Sequence, residues 1–295
     1  MTNGSQTNVV DVSQVIADHF SDLTKSEKKI ANFFNKYQDE AAFLPAGEIA
    51  SRLHISEATM VRFARTLGFE SYPSMRTMLQ DNFRHRVTHS TRLRSRLNEL
   101  RESGGIFDRL VTSEIDYLTE ALQTLDRKAL DKAVDLMKNR FNVFAFGLGP
   151  SVSLVDLLEV RLTRSARHVI PLKTSGREML EPMLLMNEKD LVIAFSFYNL
   201  TPNFQILLEY ANKKNTPVIL ITDTLGPLVK DRVSVVLSAR RGPVSAYHSL
   251  VVPMTIVNTL LLMLSQVDEA HVMPNLDQLD EYRQRQMEIL HSSDM

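Results

Sequence analysis

The sequence predicts a multidomain chain: an all-α helix-turn-helix domain at residues 1–85, a basic linker at 86–106, an α/β domain with a five-stranded parallel sheet flanked by helices at 107–270, and a helical tail at 271–295. Three observations predict it. Apolar residues recur at three- and four-residue spacings through the first third of the chain, the stripe of amphipathic helices. From Asn142 onward the period changes to short apolar runs alternating with helical stretches, the pattern of a parallel sheet covered on both faces. The length of 295 residues leaves room for about two domains at roughly 150 residues each.

Composition narrows the classes further. With no cysteine, a disulfide framework, a zinc-thiolate site and a cysteine nucleophile are all excluded. A makeup of 44% hydrophobic and 23% charged residues, with only 10 Gly and 11 Pro, fits a globular protein with a sizeable core and excludes a disordered or collagen-like chain. The most apolar run, Leu250–Leu264, is 15 residues long and interrupted by Pro253 and Asn258. That is short of the roughly 20 a bilayer needs, so a helix buried in the domain or between subunits is expected, and no membrane partner. The opening MTNGSQTNVVDVSQ has neither the basic start nor the apolar stretch of a secretion signal, and the expected location is the cytoplasm.

In the first domain, Ile30, Phe33, Phe34 and Tyr37 form one apolar face. Thr24 or Ser26 can cap that helix, and Glu27 stands three residues beyond Thr24, as a capping box requires. Pro45–Leu53 gives a short helix with Ile49, Ala50 and Leu53 inward, stopping at His54 and Ile55. Ser56 is a good N-cap for a further helix, Glu57–Thr66, with Ala58, Val61 and Phe63 inward and Gly68 as its breaker. Two short helices joined by a tight turn, with the small Ala50 at the close contact, make a helix-turn-helix; a plain helical bundle with the same spacing is the alternative. In that geometry the second helix enters the major groove of DNA, which nominates Ser56, Glu57, Thr59, Met60, Arg62 and Arg65. Arg62 either forks onto a guanine or holds a phosphate; Arg65 is assigned to phosphate.

The formal net charge of −1 argues against nucleic acid only as an average. Residues 1–101 hold 14 basic and 11 acidic side chains, and the remainder 20 and 24. Arg76–Arg101 alone carries seven Arg against Asp81 and Glu99, a local excess of +5. It is either a solvated helix face or linker, or a basic segment beside a DNA-reading element.

After two amphipathic helical patterns between Phe107 and Lys138, the strand candidates are Asn142–Phe146, His168–Leu172, Leu191–Phe195, Val218–Thr222 and Val233–Leu237. Helical stretches follow several of them, among them one marked by Val152, Val155, Leu158 and Leu162 and another at Thr201–Lys214. Ligands of such sheets sit beyond the carboxyl ends of the strands, where helix N-termini offer free N–H groups to an anion. Two loops qualify. In Gly147–Ser153, Gly147 and Gly149 permit close backbone approach while Ser151 and Ser153 supply hydroxyls; in the other, Ser196 and Thr201 flank the start of the next helix. Gly147-Leu-Gly lacks the third glycine of a dinucleotide fingerprint and has no P-loop lysine, so a plain strand-to-helix turn is the alternative. In the tail, Leu276, Leu279 and Tyr282 fall on one side of a helix that packs on a partner or frays.

The segments LTKSEKKIANFF and EIASRLHISEATMVRFARTLGFESYPSMR, with their Ile55–Phe63 core, Leu67–Phe69 and Tyr72, resemble the N-terminal domain of RpiR-type bacterial transcription regulators. GLGPSVS, DLVIAFSF and ANKKNTPVILITDTLGPLVKDRVSVVL resemble the SIS (sugar isomerase) domain over residues 107–266, which follows the reader domain in those regulators. The resemblance implies a homodimer or homotetramer on a double-stranded DNA operator, no cofactor, and a small-molecule effector. That effector, a sugar phosphate or related metabolite, would be bound through Ser151, Ser153, Ser196 and Thr201. There is one departure. The family's phosphate loop reads S-x-S-G-x-T, whereas Ser196-Phe-Tyr-Asn-Leu-Thr201 places Tyr198 and Asn199 where the second serine and the glycine stand. Part of an anion nest is thereby removed, so Tyr198 joins the candidate set and the effector is altered or absent.

The function expected is a DNA-binding regulator whose second domain senses a metabolite and biases the geometry of a dimer. The alternatives are a phosphosugar isomerase carrying a helical extension, and a purely structural oligomerisation module. An isomerase needs a general base, and Glu178, Glu181, His168 and His248 are available, but none sits in a recognisable motif. No metal site is indicated, and the chain is expected not to be an enzyme.

Overall fold

The computed structural model describes residues 12–86, 89–101, 105–140, 142–198, 200–242 and 248–293. The chain divides into two compact units, Met1–Ser113 with Gly242–Ser249, and Glu114–Arg241 with Leu250–Met295.

The first unit is helical: α1 (Val12–His19), α2 (Lys25–Ala41), α3 (Ala46–Leu53), α4 (Glu57–Thr66), α5 (Tyr72–Arg86) and α6 (His89–Arg101). The stretch expected as a linker thus holds a helix, α6. Ile30 and Phe34 of α2, Ile49 of α3, Met60 and Phe63 of α4, and Met75 and Leu79 of α5 are all buried, with the Phe34 and Phe63 rings 5.9 Å apart. Tyr72 ties α5 to the entry of α3 by donating its hydroxyl to the Leu44 carbonyl at 2.8 Å.

The helical phase of α4 differs from the expectation. Met60, Phe63, Ala64 and Leu67, at the spacing i, i+3, i+4, i+7, form the buried stripe, whereas Ala58 is exposed and Val61 half-buried. The larger side chains take the core because burial scales with apolar area. In α2, Phe33 is half-buried and Tyr37, at a kink with φ −128° and ψ 36°, is exposed, so only Ile30 and Phe34 of the expected face reach the core.

Helices α7 (Ile106–Thr124) and α8 (Arg127–Lys138) lead into the α/β unit. Its elements are β1 (Asn142–Gly147), α9 (Val152–Arg164), β2 (His168–Leu172), α10 (Arg177–Met183), β3 (Leu191–Phe195), α11 (Pro202–Lys213), β4 (Val218–Thr222), α12 (Gly226–Val229), β5 (Val235–Ser238), α13 (Val251–Val267) and α14 (Glu269–Ser293). All strand pairs are parallel, in the order β2-β1-β3-β4-β5. Strand β5 starts two residues later than expected.

Each strand feeds two cores by alternation. Val143, Ala145, Ile193, Phe195, Ile219 and Ile221 point to the layer of α8, α9 and α13. Phe144, Phe146, Val192, Ala194 and Leu220 point to the layer of α10 and α11. Within the chain, helix α13 buries one side, with Val252, Ile256, Val257, Leu260 and Leu264 covered, and leaves Leu262 72% exposed. In α14, Leu276 and Leu279 are half-buried and Tyr282 is exposed. Among the described residues no single helix is long and apolar enough to cross a membrane.

Candidate nucleic-acid interface and effector site

The pair α3 and α4 is built by caps. Ser56, in extended conformation, starts α4 by accepting the Thr59 amide at 3.3 Å on its hydroxyl. His54, in the left-handed region at φ 53°, closes α3, and its turn lets the Ile55 amide return to the Ala50 carbonyl at 2.9 Å. The two helices also meet at Gly47, where a Cβ would strike the carboxylate of Glu57. Sequence reasoning named Ala50 alone for this approach; Gly47 in the run Pro45-Ala-Gly is the signal it passed over.

The six candidates of α4 separate by exposure. Ser56, Glu57, Arg62 and Arg65 are exposed, and Thr59 is 7% exposed. Met60 is 0% exposed and belongs to the core, so it is removed from the groove-facing set; its stripe position with Phe63 and Ala64 is the reason. Arg62 is aligned along its own helix, donating from Nη2 to the Thr59 hydroxyl at 3.1 Å, which lies 2.9 Å from that of Ser56.

Beneath it lies Glu27, whose carboxylate accepts the Thr24 amide (3.0 Å), the Thr24 hydroxyl (2.7 Å) and the Thr66 hydroxyl (3.2 Å). The capping box expected at α2 therefore also grips the end of α4, 39 residues on. Burial pushes the Glu27 carboxyl up, but the hydrogen bonds from Thr24 and Thr66 and the charge of Arg62 outweigh it and hold it below its ordinary value.

In the α/β unit, Gly147 and Phe195 are register partners, so the loops after β1 and β3 leave the same edge of the sheet side by side. With the order 2-1-3-4-5 this is the topological switch point, where doubly wound sheets open a crevice. A Cβ at Gly147 would lie 2.9 Å from both the Ser151 carbonyl oxygen and the Val155 side chain, and Gly149 has φ +58°. Glycine is required at Gly147 by the close approach and is favoured at Gly149 by the left-handed turn. Ser151, directly before α9, and Ser196, directly after β3, are buried. Ser153 is exposed and donates to the Pro150 carbonyl at 2.8 Å. Thr201 caps α11 by accepting the Phe204 amide at 3.3 Å. Tyr198 is 9% exposed at φ 67°, and Asn199 lies outside the described residues.

Of the four possible bases, His168 opens β2 at the amino end of the sheet, paired with Asn142 and away from these loops. Glu178 and Glu181 are exposed on α10. Two groups at the carboxyl end escaped sequence reasoning, Asp223 after β4 and Arg241 after β5, which face each other at 3.3 Å. Neither stands in a motif.

Comparison with known proteins agrees with the two folds of the chain. Residues 10–86 match the helix-turn-helix domain of the rpiR family, and residues 144–263 match the SIS domain. The chain belongs to the RpiR-type transcriptional regulators. It is 26% identical over 230 residues to an HTH-type transcriptional regulator of Haemophilus influenzae, covering 77% of this chain and 79% of that protein. It is 24% identical over 224 residues to HexR of Escherichia coli, covering 75% of each. Among solved structures, NanR of Vibrio vulnificus complexed with ManNAc-6P matches with a TM-score of 0.64 at 20% identity, over 92% of this chain and 97% of that one. The sugar isomerase domain of an RpiR transcription factor from Sphaerobacter thermophilus matches with a TM-score of 0.55 at 21% identity, over 59% of this chain and 97% of that one. In this RpiR-type regulator the helix-turn-helix match falls in the helical unit and the SIS match in the α/β unit.

Proposed function

We propose that this regulator reads its operator with the exposed side of α4, Arg62 and Arg65 supplying the charge, and that a metabolite bound at the β1 and β3 loops biases a dimer toward or away from DNA. The observation that carries the reading is the division of α4: Met60, Phe63 and Ala64 are consumed by the core, Arg62 and Arg65 lie exposed on the side away from them, and Ser56 and Glu57 are exposed at its first turn. An Arg freed from packing can fork onto a base or sit on a phosphate. The effector is a sugar phosphate or a related metabolite, in keeping with NanR and its ManNAc-6P. The protein acts by binding and not by turnover: His168 lies at the amino end of the sheet, away from the loop hydroxyls, and its relatives are named as regulators.

Operator fragments selected by the purified protein give the test. Arg62→Glu with Arg65→Glu abolishes retention of the selected duplex in a gel while the circular dichroism spectrum is unchanged; undiminished retention refutes the reader assignment. Singly, Arg65→Gln weakens all duplexes evenly and lowers the salt slope by about one, as loss of a phosphate contact does. Addition of the correct metabolite shifts retention by as much as it prefers one dimer geometry.

A further inference from the structure

The pair Asp223 and Arg241 is buried at the carboxyl end of the sheet, their side chains 6% and 7% exposed. Arg241 Nη2 lies 3.3 Å from Asp223 Oδ2, and its guanidinium carbon lies 3.5 Å from the centre of the Phe197 ring and 4.7 Å from that of Tyr198. Asp223 Oδ1 accepts the amides of Tyr198 at 2.9 Å and of Thr224 at 2.6 Å. The Tyr198 amide, which an anion nest would turn to its ligand, is therefore spent on an internal carboxylate. The same position has also lost the hydroxyl that the serine of the S-x-S-G-x-T pattern supplies.

An anion at these loops must find its charge partner elsewhere. Among the described residues Arg241 Nε is buried without a hydrogen-bond partner, and so is the Thr222 hydroxyl at the end of β4. Buried donors without acceptors are rare in native folds, and a guanidinium held flat by two rings is prepared for a planar or tetrahedral oxyanion.

We propose that Arg241 is the anion receptor of the effector site: an acidic group of the ligand, phosphate or carboxylate, accepts a hydrogen bond from Nε while Asp223 keeps Nη2 and Phe197 and Tyr198 hold the guanidinium plane. Asp223 and the two rings are positioning groups. This rests on the effector reading above and names the chemistry that the altered loop recognises.

Calorimetric titration of the full chain tests it with glucose 6-phosphate, ManNAc-6P, gluconate and inorganic phosphate, and with glucose as the uncharged control. At least one anion binds, glucose does not, and Arg241→Gln weakens that anion by more than about tenfold, the loss of a charged hydrogen bond. Arg241→Lys keeps a charge but not Nε, and it weakens the same anion by more than about fivefold. It decides the matter if Arg241→Gln fails to fold. Binding by the phosphates or by gluconate tells which acid is read. Arg241 variants that bind within about twofold of the parent overturn the proposal. If Ser151→Ala with Thr201→Ala abolishes binding in that case, the effector reading survives without Arg241. If no anion binds the parent chain, both fall.

Discussion

Glu27→Ala is the sharpest probe of how α4 is held. The carboxylate accepts three hydrogen bonds, two from Thr24 and one from Thr66. Loss of the capping function at α2 costs about 1 kcal/mol. Loss of a bond to a buried charge costs about 1.5 kcal/mol at the low end of its range, fitting for a group at the unit's edge. Thr66 is discounted, because its hydroxyl also donates to the Arg62 carbonyl at 3.1 Å and is not orphaned.

The sum is about 2–3 kcal/mol for Ala and about 1 kcal/mol for Gln, whose amide oxygen still accepts. Hydrogen exchange of the full chain reads this locally. Amides in the first turn of α2 and the last turn of α4 exchange about 30- to 150-fold faster in Glu27→Ala, if opening there is local. Because the folded carboxyl titrates below its unfolded value of 4.5, its stabilisation is complete above that value and fades as pH falls through the folded one. Glu27→Gln therefore differs from the parent at neutral pH and converges with it in acid. Equal exchange in both helices for parent and Glu27→Ala would show that the capping box does not reach α4.

Two further outcomes test the α/β unit. Gly147→Ala forces a methyl against the Ser151 carbonyl and Val155 at 2.9 Å, backbone and a branched side chain that cannot both retreat; thermal denaturation is expected to show a loss of about 1–3 kcal/mol. Arg167, with no exposed side-chain surface, pairs with Asp268 between α13 and α14, so Arg167→Ala leaves a partly buried carboxylate and costs about 3 kcal/mol, whereas Arg167→Ala with Asp268→Ala recovers part of it in the same melt.

Local signals decided much of this protein before any coordinates. Ser56 as a cap, Thr24 with Glu27, the five apolar strands and the glycines after β1 are written within a few residues of one another, and each is enforced by backbone hydrogen bonding or sterics at short range. The same short range explains the errors. The face of α4 was set by what α2 and α5 offered to Met60 and Phe63, so Ala58 went to solvent although it is apolar. Glu27 reaches Thr66 across 39 residues, and the Glu57 carboxylate folds back over Gly47 of the preceding helix.

At the effector loops the sequence alone supplied the hydroxyls and glycines, but it could not say that β1 neighbours β3, which brings the two loops together. Nor could it place Asp223 beside Arg241. They are 18 residues apart and meet because β4 pairs with β5 and both strands release their chains at the same end of the sheet. Periodicity and caps report which surface each segment must bury, whereas strand order and helix phase are choices among partners, settled by the total area all segments can cover at once.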